Sequence, residues 1–144
     1  MPGFTASAAA FVNDSKLLSP QPEFATASHQ TLPNVARDGG RVAVDWRREV
    51  VSGTVLNGYA AVRYVGKSML GVGQLLDISQ GGYCVGDIGA RLDVGRFALS
   101  LNVDNVGDAR ANTFAFGNPF GLAERDQITP LRPRTFRLGL DASF

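Results

Sequence analysis

The final ten residues of the chain alternate between two kinds of side chain without a break. Phe136, Leu138, Leu140, Ala142 and Phe144 fall on one side, and Thr135, Arg137, Gly139, Asp141 and Ser143 on the other. Such strict alternation marks a strand with one apolar face, and a tilted strand of this length is long enough to cross a bilayer. The same period recurs upstream. Phe97, Leu99, Leu101 and Val103 alternate with Ala98, Ser100, Asn102 and Asp104, and Ile88, Ala90, Leu92 and Val94 alternate with Asp87, Gly89, Arg91 and Asp93. The turn Gly95-Arg96 joins these two runs as a hairpin. Gly58, Ala60, Val62 and Tyr64 face away from Tyr59, Ala61, Arg63 and Val65, and Val42, Val44 and Trp46 from Ala43, Asp45 and Arg47. The pattern predicts an all-β chain.

The connections between these runs are ordered too. They are long at 13–40, short at 48–53, long at 66–82, short at Gly95-Arg96 and long again at 106–134. Transmembrane barrels alternate in this way, with short periplasmic turns and longer extracellular loops, whereas long structureless loops are uncommon in compact soluble domains. If the last strand ends in the periplasm, all three long connections fall outside together. The expected architecture is an antiparallel up-and-down meander of about six strands forming part of a transmembrane β-barrel. One stretch resists the pattern: 4–12 contains Ala6, Ser7, Ala8, Ala9 and Ala10, which suit a helix by propensity.

Composition narrows the alternatives. No apolar run approaches the roughly 20 residues of a spanning helix, which excludes a helical inner-membrane protein. Strands escape that test because only half their residues face lipid. In 144 residues, 17 glycines, 9 phenylalanines and a charged fraction of 19% suit β structure better than a helical bundle. A formal charge of +1 points to no nucleic-acid partner. With Cys84 as the one cysteine there is no internal disulfide framework. The opening Met1-Pro2-Gly3-Phe4-Thr5 has no export-signal pattern, so the chain is expected either to be internal and soluble or to have lost its front end.

Several motifs carry a family resemblance. The run from Leu99 to Asp108, ending Asn105-Val106-Gly107-Asp108, resembles the penultimate strand of TonB-dependent receptors, with Val106 and Gly107 in place of the usual leucine and aromatic residue. The segments Phe114 to Phe120 and Thr129 to Phe136 resemble the last extracellular loop and the start of the last strand. The chain closes, like those receptors, on an aromatic residue, Phe144. Upstream, Arg63-Tyr64-Val65-Gly66-Lys67-Ser68 resembles a Tyr-x-Gly-Lys strand end. Leu32-Pro33-Asn34-Val35 resembles a Leu-Pro-x-x-Pro segment, with Ala36 where the second proline would stand.

The resemblance covers nearly the whole chain and implies the C-terminal β-barrel portion, residues 1–144, of a plugged barrel of about 22 strands, without its plug domain. It also places 4–12 as a strand. The implied location is the bacterial outer membrane, and the implied role is uptake of a bulky nutrient such as a ferric siderophore. The implied partners are the remaining barrel and plug, the TonB complex through that plug, outer-membrane lipid, and the barrel-assembly machinery through the C-terminal strand. Arg137, Gly139, Ala142 and Phe144 would form the assembly signal, although a larger apolar residue is usual at the position of Ala142.

In that frame Phe136, Leu138 and Leu140 contact lipid, while Asp87, Arg91, Asp93, Asp104, Arg137 and Asp141 face a wet lumen. Trp46, Tyr59, Tyr64 and Phe97 are candidates for interfacial aromatic girdles, or for filling a soluble core. Arg132 and Arg134, with Arg137 nearby, are the candidate attractors for an anionic ligand, although such arginines are more often solvated or paired.

Catalytic, metal and cofactor roles are not expected. His29 is the one histidine and has no partnering nucleophile in view, and one His with one Cys cannot make a metal cluster. Gly71-Val72-Gly73 lacks a third glycine at Leu76, so it is no dinucleotide loop. Cys84 reads as a small hydrophobe, and Asn13-Asp14-Ser15 as a chance glycosylation sequon. Two other classes share the alternation: a soluble antiparallel β-sandwich binding module, and a small outer-membrane barrel assembled from several copies.

Overall fold

The computed structural model describes residues 3–16, 18–19, 22, 31–71, 78–114 and 129–144. His29, most of the segment from Phe114 to Phe120 and Gly73 lie outside them. The described chain is all-β and contains ten strands: β1 (Gly3–Val12), β2 (Asp38–Val51), β3 (Thr54–Val65), β4 (Ser68–Met69), β5 (Ser79–Gln80), β6 (Tyr83–Val94), β7 (Phe97–Asp104), β8 (Asn112–Phe114), β9 (Thr129–Pro130) and β10 (Thr135–Ala142). Six of them form one antiparallel sheet in the order β1-β2-β3-β6-β7-β10. Leaving aside the two small strand pairs inside the long connections, each strand lies beside its neighbour in sequence, so the sheet is an up-and-down meander.

Pairing register carries the alternation of each strand across the whole sheet. One row runs Phe4, Trp46, Gly58, Ala90, Leu101, Leu138, and the row beside it runs Thr5, Asp45, Tyr59, Gly89, Asn102, Arg137. Because the side-chain period is two, all five pairings agree on which face is apolar. That agreement explains why β1 is a strand despite its alanines. Ten consecutive residues from Gly3 to Val12 pair with β2, and ladder bonds with cross-strand contacts outweigh helix propensities of a few tenths of a kcal/mol each.

The two faces differ in how deeply they hold residues of the same type. Ala60 and Ala61 are neighbours on β3, yet Ala60 is exposed on the apolar face and Ala61 is only 8% exposed on the polar one. Ala43, Val85 and Ala98 are also buried on the polar face. The apolar face has no covering layer among the described residues: Phe136, Leu138 and Leu140 are 67%, 75% and 73% exposed.

Two tight turns close the hairpins at one end. Gly95 takes φ 57 ahead of Arg96, with only the first central residue at positive φ, as in a II′ turn. Gly53 takes φ 77 after Ser52. The short connection expected at 48–53 is therefore reduced to Ser52-Gly53, and Arg48 to Val51 belong to β2. Two features hide this in the sequence: Arg48 occupies an apolar-face position opposite Leu56, and the register shifts between Glu49 and Val51. The first long connection is shorter than expected, since β2 begins at Asp38, while the other two keep their expected bounds to within a residue. They also hold β4 paired with β5 and β8 paired with β9, which are too short to leave a periodic trace.

Trp46 lies across the strand boundary onto Gly58, where a Cβ would collide with the indole. On the other face Tyr59 covers Gly89 in the same manner. Tyr59 is thereby removed from any aromatic girdle on the apolar face, because its odd position on β3 turns it to the polar side. Replacing Gly58 with Val is expected to displace Trp46 and lower stability by about 1–3 kcal/mol. Gly86→Val, whose Cβ would have its nearest neighbour at 3.9 Å, should be nearly neutral. Denaturant midpoints followed by the emission of the single tryptophan check the pair, and equal midpoints would contradict this packing.

Candidate functional surfaces: a two-sided sheet and a loop-bearing end

The functional candidates are the two faces of the sheet and the end that carries the three long connections. On the polar face charged residues from non-adjacent strands meet. Arg91 on β6 bonds Asp93 at 2.8 Å and reaches across β7 to Asp141 on β10 at 2.5 Å. Asn57 on β3 donates to Asp93 at 2.8 Å, and Arg137 on β10 bonds Asp104 on β7 at 2.8 Å. Alternation placed these groups on one side, and the register brought them within reach. Sequence alone could not pair Arg91 with Asp141, fifty positions away.

At the loop-bearing end, Asn105 is the most enclosed polar residue described, 3% exposed, and holds the left-handed φ of 51 that Asn tolerates. Its backbone N–H donates to Asp87 Oδ1 at 2.9 Å. Its side-chain Oδ1 accepts from the Ala109 N–H at 2.8 Å, while Nδ2 donates to the carbonyls of Ala109 at 2.9 Å and Arg132 at 3.0 Å. Asp108, also left-handed at φ 50, accepts the Arg134 N–H at 3.0 Å through Oδ1. Asn105 and Asp108 thus fasten both feet of the third long connection to the sheet. They are the outer residues of the Asn-Val-Gly-Asp run singled out from the sequence, and the fastening is what those residue types do there.

A second link ties the three long connections to one another. Gln80 Nε2 donates to Asn34 Oδ1 at 2.7 Å, and Asn112 Nδ2 donates to Gln80 Oε1 at 3.3 Å. Asn112 Oδ1 in turn accepts the Thr129 N–H at 2.9 Å. Backbone bonds follow the same path, from Asn34 N–H to the Met69 carbonyl at 2.7 Å and from Leu131 N–H to the Ala111 carbonyl at 2.8 Å. Beside this link a groove of about 840 Å³ opens between the end of β1 and the first two long connections, lined by Lys16, Arg37, Lys67, Asp14, Asp38 and Tyr64 among others. Periodic patterns gave no signal for either the Asn34–Gln80–Asn112 chain or the groove, since both join side chains from separate connections.

Arg132 and Arg134 are exposed at the foot of the third connection, and neither has an ion pair among the described residues. Arg137 stands apart from them, committed to Asp104. In the C-terminal strand Gly139 lies opposite Ser100 and Ala142 opposite Phe97, while Phe144 projects fully exposed beyond the end of β10. Cys84 is an exposed free thiol on the apolar face. Asn13 of the sequon donates through Nδ2 to the Ala36 carbonyl at 3.0 Å.

Comparison with family models, curated proteins and solved structures returned no match.

Replacing Asn105 with Ala leaves the Ala109 and Arg132 backbone groups without their part-buried partner and is expected to cost about 1–3 kcal/mol. Hydrogen exchange should accelerate at Ala109 and Arg134 and hold steady at Ala60 in the middle of β3. Uniform acceleration along the chain would show that Asn105 supports the sheet as a whole.

Proposed function

We propose that this chain is part of the wall of a TonB-dependent transport receptor in the bacterial outer membrane. It contributes strands and extracellular loops for uptake of a bulky nutrient such as a ferric siderophore. The observation that carries this reading is the continuous apolar face, exposed over six strands, opposite a face of ion pairs and amides. Val42, Val62, Ile88, Leu99, Leu101, Leu138 and Leu140 are half or more exposed on it, or nearly so. Each leaves roughly 1 kcal/mol of transfer energy unrealised in water, a driving force that hydrocarbon contact would satisfy. Monomers in water rarely tolerate so extended a patch.

The connections support the same reading. All three long ones emerge at one end of the meander and both tight turns at the other, the asymmetry of barrel loops and periplasmic turns. Six strands are fewer than the eight or so that close the smallest membrane barrels, and the outer edges of β1 and β10 pair with nothing among the described residues. Further strands of a receptor would occupy those edges, with a plug against the polar face. The free edge of β10 and the exposed Phe144 suit strand addition by the barrel-assembly machinery, with Arg137, Gly139 and Ala142 in the recognised strand. Arg132 and Arg134 are placed to meet an anionic ligand arriving from outside.

A second reading, an outer-membrane barrel built from several copies, draws on one feature. β1 and β10 run in opposite directions, so β10 of one copy and β1 of the next would meet antiparallel. Oligomer size in detergent separates the two readings.

The single tryptophan is a built-in reporter, because Trp46 sits on the apolar face. In vesicles of lipids brominated along the acyl chain, its emission is expected to shift blue and be strongly quenched. An unquenched Trp46 in folded protein would sink the membrane reading. Leu138→Arg should lower folded yield in vesicles, corresponding to about 2–4 kcal/mol if it lies near the bilayer midplane. Thr5→Arg, on the polar face opposite Asp45, should change that yield little.

A further inference from the structure

The polar face has two halves of different electrical character. Over β6, β7 and β10 both arginines have carboxylates: Arg91 has Asp93 and Asp141, and Arg137 has Asp104. Over β2 and β3 the pattern is reversed. Arg41 and Arg63 are direct cross-strand partners, and neither makes an ion pair among the described residues. Direct partners carry their Cβ atoms about 4.5–5.5 Å apart, so two exposed arginine side chains leave the sheet from adjacent positions on one face. Like charges in that relation oppose each other unless an anion lies between them.

The surroundings do not supply one. Ala9 flanks Arg41 on β1 and Val85 flanks Arg63 on β6. Ala43 and Ala61, the next positions on the same face, are buried, so the floor under the pair is small and apolar. The nearest carboxylate in register is Asp87, diagonal to Arg63, and its Oδ1 is already engaged by the Asn105 N–H. The pair also sits where a ligand can reach it. Arg41 lies three residues from the start of β2 and Arg63 two from the end of β3, at the end that bears the long connections.

We infer that Arg41 and Arg63 form an anion-binding site that takes one carboxylate or phosphate group, each planar guanidinium donating a fork of N–H groups to its oxygens. The site needs only the β2–β3 register, and it stands whether or not the sheet is a membrane wall. Arg91 and Arg137 do not compete for the anion because their own carboxylates occupy them.

The test uses the full chain, ¹⁵N-labelled and folded in nonionic detergent, titrated at constant ionic strength with inorganic phosphate and separately with citrate. Single variants Arg41→Gln and Arg63→Gln assign the two Nε–H resonances, and far-UV circular dichroism confirms that each keeps its sheet. Saturable shifts at Arg41 and Arg63, with Arg91 and Arg137 unmoved, are expected from at least one anion, and the tighter one identifies the preferred group. Each single variant should lose the saturable response of the remaining arginine. In a separate melt, phosphate or citrate should raise the Tm of the wild type and leave Arg63→Gln unchanged. Linear, non-saturating shifts with both anions, or equal responses at all four arginines, would overturn the site. Trp46 quenching is read independently, so loss of the membrane reading and loss of this site are separate results.

Discussion

The whole arrangement depends on parity. Each side chain in the six-stranded sheet faces up or down according to whether its position is odd or even, and five successive pairings preserve that assignment from Phe4 to Leu138. A slip of one residue in the β7–β10 pairing, for instance, would send Arg137 to the apolar face and Leu138 to the polar one. The one bulge in the sheet, between Glu49 and Val51, sits beside the Ser52-Gly53 turn, where few residues remain to be inverted. The ion pairs of the polar face reinforce the register without creating it. Arg91 can meet Asp141 only after β7 has aligned between them, and exposed pairs of this kind contribute little stability on their own.

What the sequence discloses follows from the same parity. The strands with clean alternation, 97–104 and 135–142 above all, were legible because every position on each face kept its polarity. Legibility failed where a residue suited its level along the strand more than its face. Arg48 interrupts the apolar run near the tight-turn end of β2, and the alternation breaks there before the strand does. Tyr59 has the chemistry of a girdle residue, yet its odd position turns it over Gly89. β1 was hidden for another reason: alanine is small enough for either face and favours helix in isolation, so only its partner strand defines it. The loop-bearing end was the least legible. Asn105 and Asp108 attracted notice through a motif, but their task, bonding backbone groups at Ala109, Arg132 and Arg134, depends on where the chain returns after a long excursion. The Asn34–Gln80–Asn112 chain joins three separate connections, and no local pattern encodes such a meeting.

These side chains change what the long connections can be. Among the described residues the three non-glycine residues with left-handed backbone, Asn34, Asn105 and Asp108, all stand at that end; the Asn105 and Asp108 side chains accept backbone N–H groups, and that of Asn34 accepts from the Gln80 side chain. With both feet of the third connection fastened and all three connections linked through Gln80, the described parts of this end are tied into one hydrogen-bonded assembly. A ligand meeting such an assembly encounters polar groups already held in position, which lowers the ordering cost of capture.

The electrical division of the polar face then bears on what can lie against it. Where Arg91 and Arg137 are held by Asp93, Asp141 and Asp104, the carboxylates outnumber the guanidinium groups, so an approaching anion finds no free positive charge and would lose hydration in covering the pairs. Over Arg41 and Arg63 the balance is opposite. An anion arriving there removes a like-charge repulsion as well as forming new hydrogen bonds, and it needs to displace no internal partner. An anionic group that settles on this face, whether a bound solute or a packed segment of protein, is therefore steered toward β2 and β3 and away from the carboxylates over β6, β7 and β10. Direction across the sheet is encoded by where carboxylates are missing as much as by where arginines are present.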